Sequence, residues 1–144
     1  MAESKLRIIS FVILLAMFLP LELCAKRAAP QPVKPIFWDA YKIKAVGTGG
    51  SGKVTVSKRC KCYFKPKTIT IYEINYLKSL ETDVQNLHIT KLEIDNGLLL
   101  VKTEKGGIFS CNITTGKVKL LKLPQGYRIL KSNKQSVQIE IDKK

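Results

Sequence analysis

Four cysteines, one histidine and a glycine-rich run are the residues whose spacing could support chemistry. Cys60 and Cys62 lie one residue apart in Lys58-Arg59-Cys60-Lys61-Cys62, between basic side chains. Cys24 belongs to an apolar leader, which leaves Cys60, Cys62 and Cys111. In an oxidising compartment three cysteines form one bridge and leave one over. On a strand Cys60 and Cys62 point the same way, so they compete for Cys111 rather than bridging each other. The expected pair is Cys62–Cys111, with Cys60 competing for it or left free. It closes a loop of about 50 residues, for which chain entropy gives roughly 4 kcal/mol. A structural zinc site needs four ligands, and with His88 the sole histidine and no second cysteine pair none is expected.

Gly47-Thr48-Gly49-Gly50-Ser51-Gly52-Lys53-Val54 spells the glycine loop of protein kinases and almost spells a phosphate-binding P-loop. The P-loop requires Ser or Thr after its lysine to hold magnesium, and Val54 has no hydroxyl. The kinase reading requires a catalytic His-Arg-Asp loop and a metal-binding Asp-Phe-Gly, and the chain contains neither. The run therefore reads as a flexible Gly/Ser turn whose backbone amides, helped by Lys53, could cradle a sulfate. His88 has no nucleophile paired with it in sequence, and no paired carboxylates or ligand set stand out. The expectation is a protein that is not an enzyme and needs no cofactor or metal.

These residues sit in a strongly basic chain. The net charge is +14 over 144 residues. It is clustered: Ala40 to Tyr72 holds eight basic residues and no acidic one, Glu73 to Asp95 is mainly acidic, and Lys102 to Lys144 is basic again. Such a surface calls for an anionic partner. Lys5 and Arg7 precede an apolar run, Ile8 to Leu19, that is too short to span a bilayer comfortably. The arrangement is that of a secretory signal peptide over residues 1–25, with Ala25 at the cleavage site and Leu23 bulkier than usual two residues before it. The expected location is extracellular, with no stable membrane span after cleavage. Sulfated glycosaminoglycan is then the expected anion rather than nucleic acid. By charge, Lys53, Lys58, Arg59, Lys61, Lys65 and Lys67 are its candidate ligands. Asn112-Ile113-Thr114 is an N-glycosylation sequon at Asn112.

The elements that must position these side chains read as β. Residues 26–57 begin with the proline-rich Lys26 to Pro35 and form an extended basic arm with the glycine-rich turn, anchored by Trp38. Residues 58–144 form a single β-rich domain. Lys67 to Leu77 is β-branched and alternating, and Leu87 to Ile94 repeats the pattern with Ile89 out of phase. Asp95-Asn96-Gly97 is the strongest turn signal, because Asn-Gly accepts the positive φ of a type I′ hairpin. Leu98 to Lys102, Ile108 to Ile113, Val118 to Leu123, Tyr127 to Leu130 and Val137 to Ile141 follow as short strands, while Lys117 to Leu123 could instead be a short helix stopped by Pro124. The expected fold is mainly β, a small antiparallel meander or sheet.

Arg59-Cys60-Lys61-Cys62, with the leader and the basic chain, resembles the CXC chemokines. Ile74 and Leu77 are similar to the family's approach to its first strand. His88 to Gly97 looks like its second strand and Asn-Gly turn, and Leu98 to Val101 like its third. The family's third cysteine would fall near Gln85 and its fourth near Leu100, where this chain has none; a second register takes Cys111 as the fourth. Ser57-Lys58-Arg59 stands where one branch carries Glu-Leu-Arg. The resemblance implies a three-stranded sheet with a short C-terminal helix, here followed by an extended tail. It also implies a mobile N-terminal arm and docking of Arg59, Tyr63 and Phe64 on a cell-surface receptor. The expected function is a secreted cytokine-like ligand binding a receptor and glycosaminoglycan; the alternative is a non-signalling extracellular all-β interaction or adhesion protein that binds anionic surfaces.

Overall fold

Alternation of apolar and polar residues builds most of the molecule. In the computed structural model, residues 27–28, 30–60 and 65–143 are described. Among the described residues ten strands form two sheets. Strands β1 (Ile36–Trp38), β2 (Tyr41–Gly47), β3 (Ser51–Lys58) and β4 (Lys67–Ile74) come first. A four-residue helix, α1 (Thr82–Gln85), follows. Then come β5 (Ile89–Asp95), β6 (Leu98–Thr103), a 3-10 turn (Glu104–Gly106) and β7 (Ile108–Cys111). The chain ends in β8 (Val118–Lys122), β9 (Tyr127–Ser132) and β10 (Val137–Ile141).

The first sheet has the order β1-β2-β3-β4-β10-β9, and the second is the meander β5-β6-β7-β8. Every pairing is antiparallel except β4 with β10, which is parallel. The sheet is therefore mixed rather than antiparallel throughout. Strand patterns specify which residues are extended, but not which neighbour a returning strand meets, and β10 returns to β4 only after the second sheet has been built.

One core lies between the sheets. Ile43, Val54 and Ile71 of the first sheet and Leu99, Val101 and Phe109 of the second are fully buried in it. The rings of Tyr72 and Phe109 stack across the two sheets with centroids 5.2 Å apart. Asn96 and Gly97 both have positive φ, 48° and 76°, as the hairpin between β5 and β6 requires. A register shift between Ile89 and Lys91 explains why Ile89 is out of phase: it is buried together with Leu92.

Two segments depart from the sequence expectation. The stretch assigned to a flexible arm contains β1, β2 and β3, and Ile43, Val54 and Val56 bring it into the core. Its start is docked as well. Arg27 forms an ion pair with Glu104 and donates to the carbonyl of Asn86 at 2.9 Å. Val33, Ile36 and Trp38 pack against the core, so the tryptophan does anchor the segment. The tail is the second departure. Where a chemokine-like chain would place a helix, residues 118–141 form β8, β9 and β10, and Val118–Lys122 is a strand rather than the alternative short helix. The loop from β4 to β5 is held by the buried Gln85, whose side chain accepts from Leu77 N at 2.6 Å and donates to the carbonyls of Leu77 and Leu80, both at 3.0 Å.

Candidate functional site: a basic sheet face

Strand alternation divides β2 and β3 between two environments. Ile43, Gly52, Val54 and Val56 face the core. Lys42, Lys44, Lys53, Thr55 and Ser57 face outward. The register places Lys42 opposite Ser57, Lys44 opposite Thr55 and Val46 opposite Lys53. Across β3, Thr55 meets Thr68 and Lys53 meets Thr70, with the Thr55 and Thr68 hydroxyls 3.5 Å apart. The face is thus a lattice of ammonium groups with hydroxyls between them. Side chains two residues apart on one strand are about 7 Å apart, and neighbouring strands about 4.8 Å. No acidic residue occurs from Ala40 to Tyr72, so these cations have no carboxylate partner on β2, on β3 or in β4 before Glu73.

An aromatic extends this face. Phe37 on β1 is exposed, with the Arg59 guanidinium 4.6 Å from its ring centre and the Lys42 ammonium 5.9 Å away. Such stacking restrains a long cation without neutralising it. The Arg59 amide donates to the carbonyl of Ala40 at 2.8 Å, which fixes the chain where it leaves β3.

The structure therefore divides the residues singled out by charge. Lys53 lies on the face and Arg59 at its margin. Lys58 is the exposed last residue of β3, paired with Tyr41, and Lys65 is exposed before β4. Lys67 lies opposite Val56, on the other side of the sheet, and donates to the carbonyl of Thr114 at 3.3 Å. Lys61, Tyr63 and Phe64 lie outside the described residues, so of the expected receptor-contact set only Arg59 is placed. Lys42 and Lys44 were absent from the charge-based ligand set. Their signal was the alternation Tyr41-Lys-Ile-Lys-Ala, which sets two lysines on the face opposite Ile43.

The glycine-rich run is a packed turn. Gly49 φ is +83°, and a Cβ there would meet Asn86 and His88 at 2.8 Å. A Cβ on Gly50 would strike the Tyr76 hydroxyl, and one on Gly52 the Tyr72 ring. The glycyl carbonyls also accept hydrogen bonds, Gly49 from Leu87 N and Gly50 from Ile74 N. These glycines permit close approach to aromatic and loop groups. Beside them a cleft of about 150 Å³ is lined by Pro32, Val46, Leu87 and His88 among others.

Cys111 is buried, and burial pushes its thiol up to about 11. Its expected partner Cys62 lies outside the described residues, and no disulfide joins the described cysteines. Asn112 sits in the turn after β7, where its side-chain oxygen accepts from the amides of Thr114 and Thr115, both at 3.0 Å. Among the described residues no three His, Cys, Asp or Glu side chains converge as a metal site, and no helix is long and apolar enough to cross a membrane. No family model, curated protein or solved structure matches this chain.

Proposed function

We propose that the protein is an extracellular, non-signalling β protein that binds sulfated polysaccharide through the outer face of its first sheet. The observation that carries this reading is the register of β2 and β3, which gathers Lys42, Lys44 and Lys53 on one face with no acidic residue on either strand. Lysine ammonium groups donate charge-assisted hydrogen bonds to sulfate oxygens, and the intervening Thr and Ser hydroxyls can donate beside them. Arg59, held over Phe37, adds a planar donor at one margin. The extracellular setting rests on the leader-like residues 1–25. Strands in place of a C-terminal helix favour this interaction protein over the receptor ligand that the chemokine resemblance implied.

Heparin-affinity chromatography tests the reading. Replacing Lys42, Lys44 and Lys53 together by serine removes three cations at roughly 0.5–1 kcal/mol each. The expected result is an interaction weaker by at least about tenfold, seen as elution at lower salt, with an unchanged thermal midpoint. Elution at the same salt as the parent protein would overturn the assignment of this face.

A further inference from the structure

A second surface lies on the opposite flank, where the two sheets end side by side. β8 pairs only with β7 and β9 only with β10, so each is the edge of its sheet among the described residues. Their ends are joined. Tyr127 N donates to the Pro124 carbonyl at 3.2 Å, and Val118 N donates to Lys134 O in the turn after β9 at 3.0 Å. Between these ends no backbone hydrogen bond links β8 to β9 among the described residues. The sandwich is open along this seam.

The side chains along the seam are aliphatic. Leu121 is 52% exposed, Ile129 49% and Leu130 45%, with Leu123 at the connecting turn also exposed. From Arg128 to Ser132 every residue of β9 is exposed. Two of the leucines owe their position to register shifts. In β8, Lys122 pairs with Ile108 and Leu120 with Phe109, which leaves Leu121 as the extra residue. In β9, Lys131 pairs with Gln138 and Ile129 with Ile139, which leaves Leu130 as the extra residue. A bulge re-aims its residue and interrupts the ladder on that edge.

The two edge strands themselves carry only basic charges. No acidic residue occurs between Glu104 and Glu140, a stretch that contains Lys119, Lys122, Arg128 and Lys131. Lys119 lies opposite Ser110 on the second sheet, and Lys131 opposite Gln138 on the first. Seen edge-on, the seam is an aliphatic ridge with cations on both flanks. Only Arg128 among these four has an acidic partner, the Glu140 carboxylate, which accepts from its Nε at 2.7 Å.

We infer that this seam docks the protein edge-on to an anionic lipid surface, its leucines entering the headgroup boundary and its lysines meeting lipid phosphates and carboxylates. Two features select that occupant. Shallow apolar insertion ringed by cations is the usual composition of an interfacial lipid site. The bulges at Leu121 and Leu130 work against addition of a peptide strand, which needs a regular edge. A second copy would bring lysine against lysine. This surface is separate from the polysaccharide face on β2 and β3.

Co-sedimentation with vesicles tests it. Vesicles of phosphatidylcholine with a phosphatidylserine fraction are expected to bind the protein, and pure phosphatidylcholine vesicles to bind it at least tenfold less. The double variant Leu121→Ser, Leu130→Ser changes only exposed positions, so its thermal midpoint should match the parent. It should lose at least about tenfold in vesicle binding while eluting from heparin at unchanged salt. The K42S/K44S/K53S variant should retain most vesicle binding. If the leucine variant sediments as the parent does, attraction is charge alone and the seam assignment fails. A soluble peptide of alternating valine and glutamate that protects the β8 and β9 amides from hydrogen exchange, with no protection by vesicles, would replace lipid by strand addition.

Discussion

Burial and partner charge set the behaviour of individual groups in this molecule. The Cys111 thiol, in the core on β7, is held at about 11 by desolvation, so little thiolate forms near neutral pH. Alkylation of Cys111 is therefore expected only in denaturant, as read by mass spectrometry of peptides spanning Phe109 to Lys119; ready labelling of the folded protein would contradict the burial. Glu93 shows the opposite effect. Hydrogen bonds from Lys102 and Lys91 lower its carboxyl from the usual 4.5 to about 2. A depressed carboxyl stabilises the fold at pH above 4.5, and that contribution is lost as pH falls through about 2. Glu93→Gln should thus flatten the acid limb of stability against pH between those values and change little below them, checked by thermal midpoints across the range. Hydrogen bonds from Asn75 and Arg128 likewise lower Glu140 and support the pairing of β9 with β10 in the same direction.

At the scale of elements, two glycines separate steric from conformational constraint. Gly52 on β3 packs against the Tyr72 ring, so Gly52→Ala forces backbone and ring apart, at about 1–3 kcal/mol. Gly97 has φ +76° with nothing within 4 Å of a Cβ, so Gly97→Ala meets only the left-handed backbone penalty, roughly 1 kcal/mol. Urea unfolding of both variants should rank them in that order; the reverse order would show that β3 does not lie against Tyr72. The hairpin between β5 and β6 was legible from Asn96-Gly97 because the turn demands residues that tolerate positive φ. The glycine run was legible only as a turn. Its partners Tyr72, Tyr76 and Asn86 lie twenty or more residues away, beyond the reach of local pattern.

For the whole molecule, the two sheets depend on one another. Tyr72 and Phe109 come from different sheets and are both fully buried, and the Tyr72 hydroxyl donates to the Leu87 carbonyl at 2.7 Å. Phe109→Ala opens a cavity between the layers and should cost about 3–5 kcal/mol. Because both sheets share that core, far-ultraviolet and tyrosine signals should still report one transition at the same midpoint; separate transitions would mean that the sheets fold independently.

Strand identity was written in the sequence, because side-chain alternation is a local property that the pleat converts directly into an inner and an outer face. The β-rich content, most strand positions and the basic charge follow from it. Three matters were settled only by tertiary structure. Residues 41–58 join the core rather than an arm, since the weak alternation of Lys42 to Val46 becomes decisive only when β4 and the second sheet cover Ile43 and Val54. The partner of β10 is β4, in parallel, a choice between edges far apart in sequence. The membership of the basic face depends on register, because sliding a strand by one residue exchanges its faces. Charge counting thus grouped Lys53 with Lys67, and pairing placed Lys53 with Lys42 and Lys44 instead.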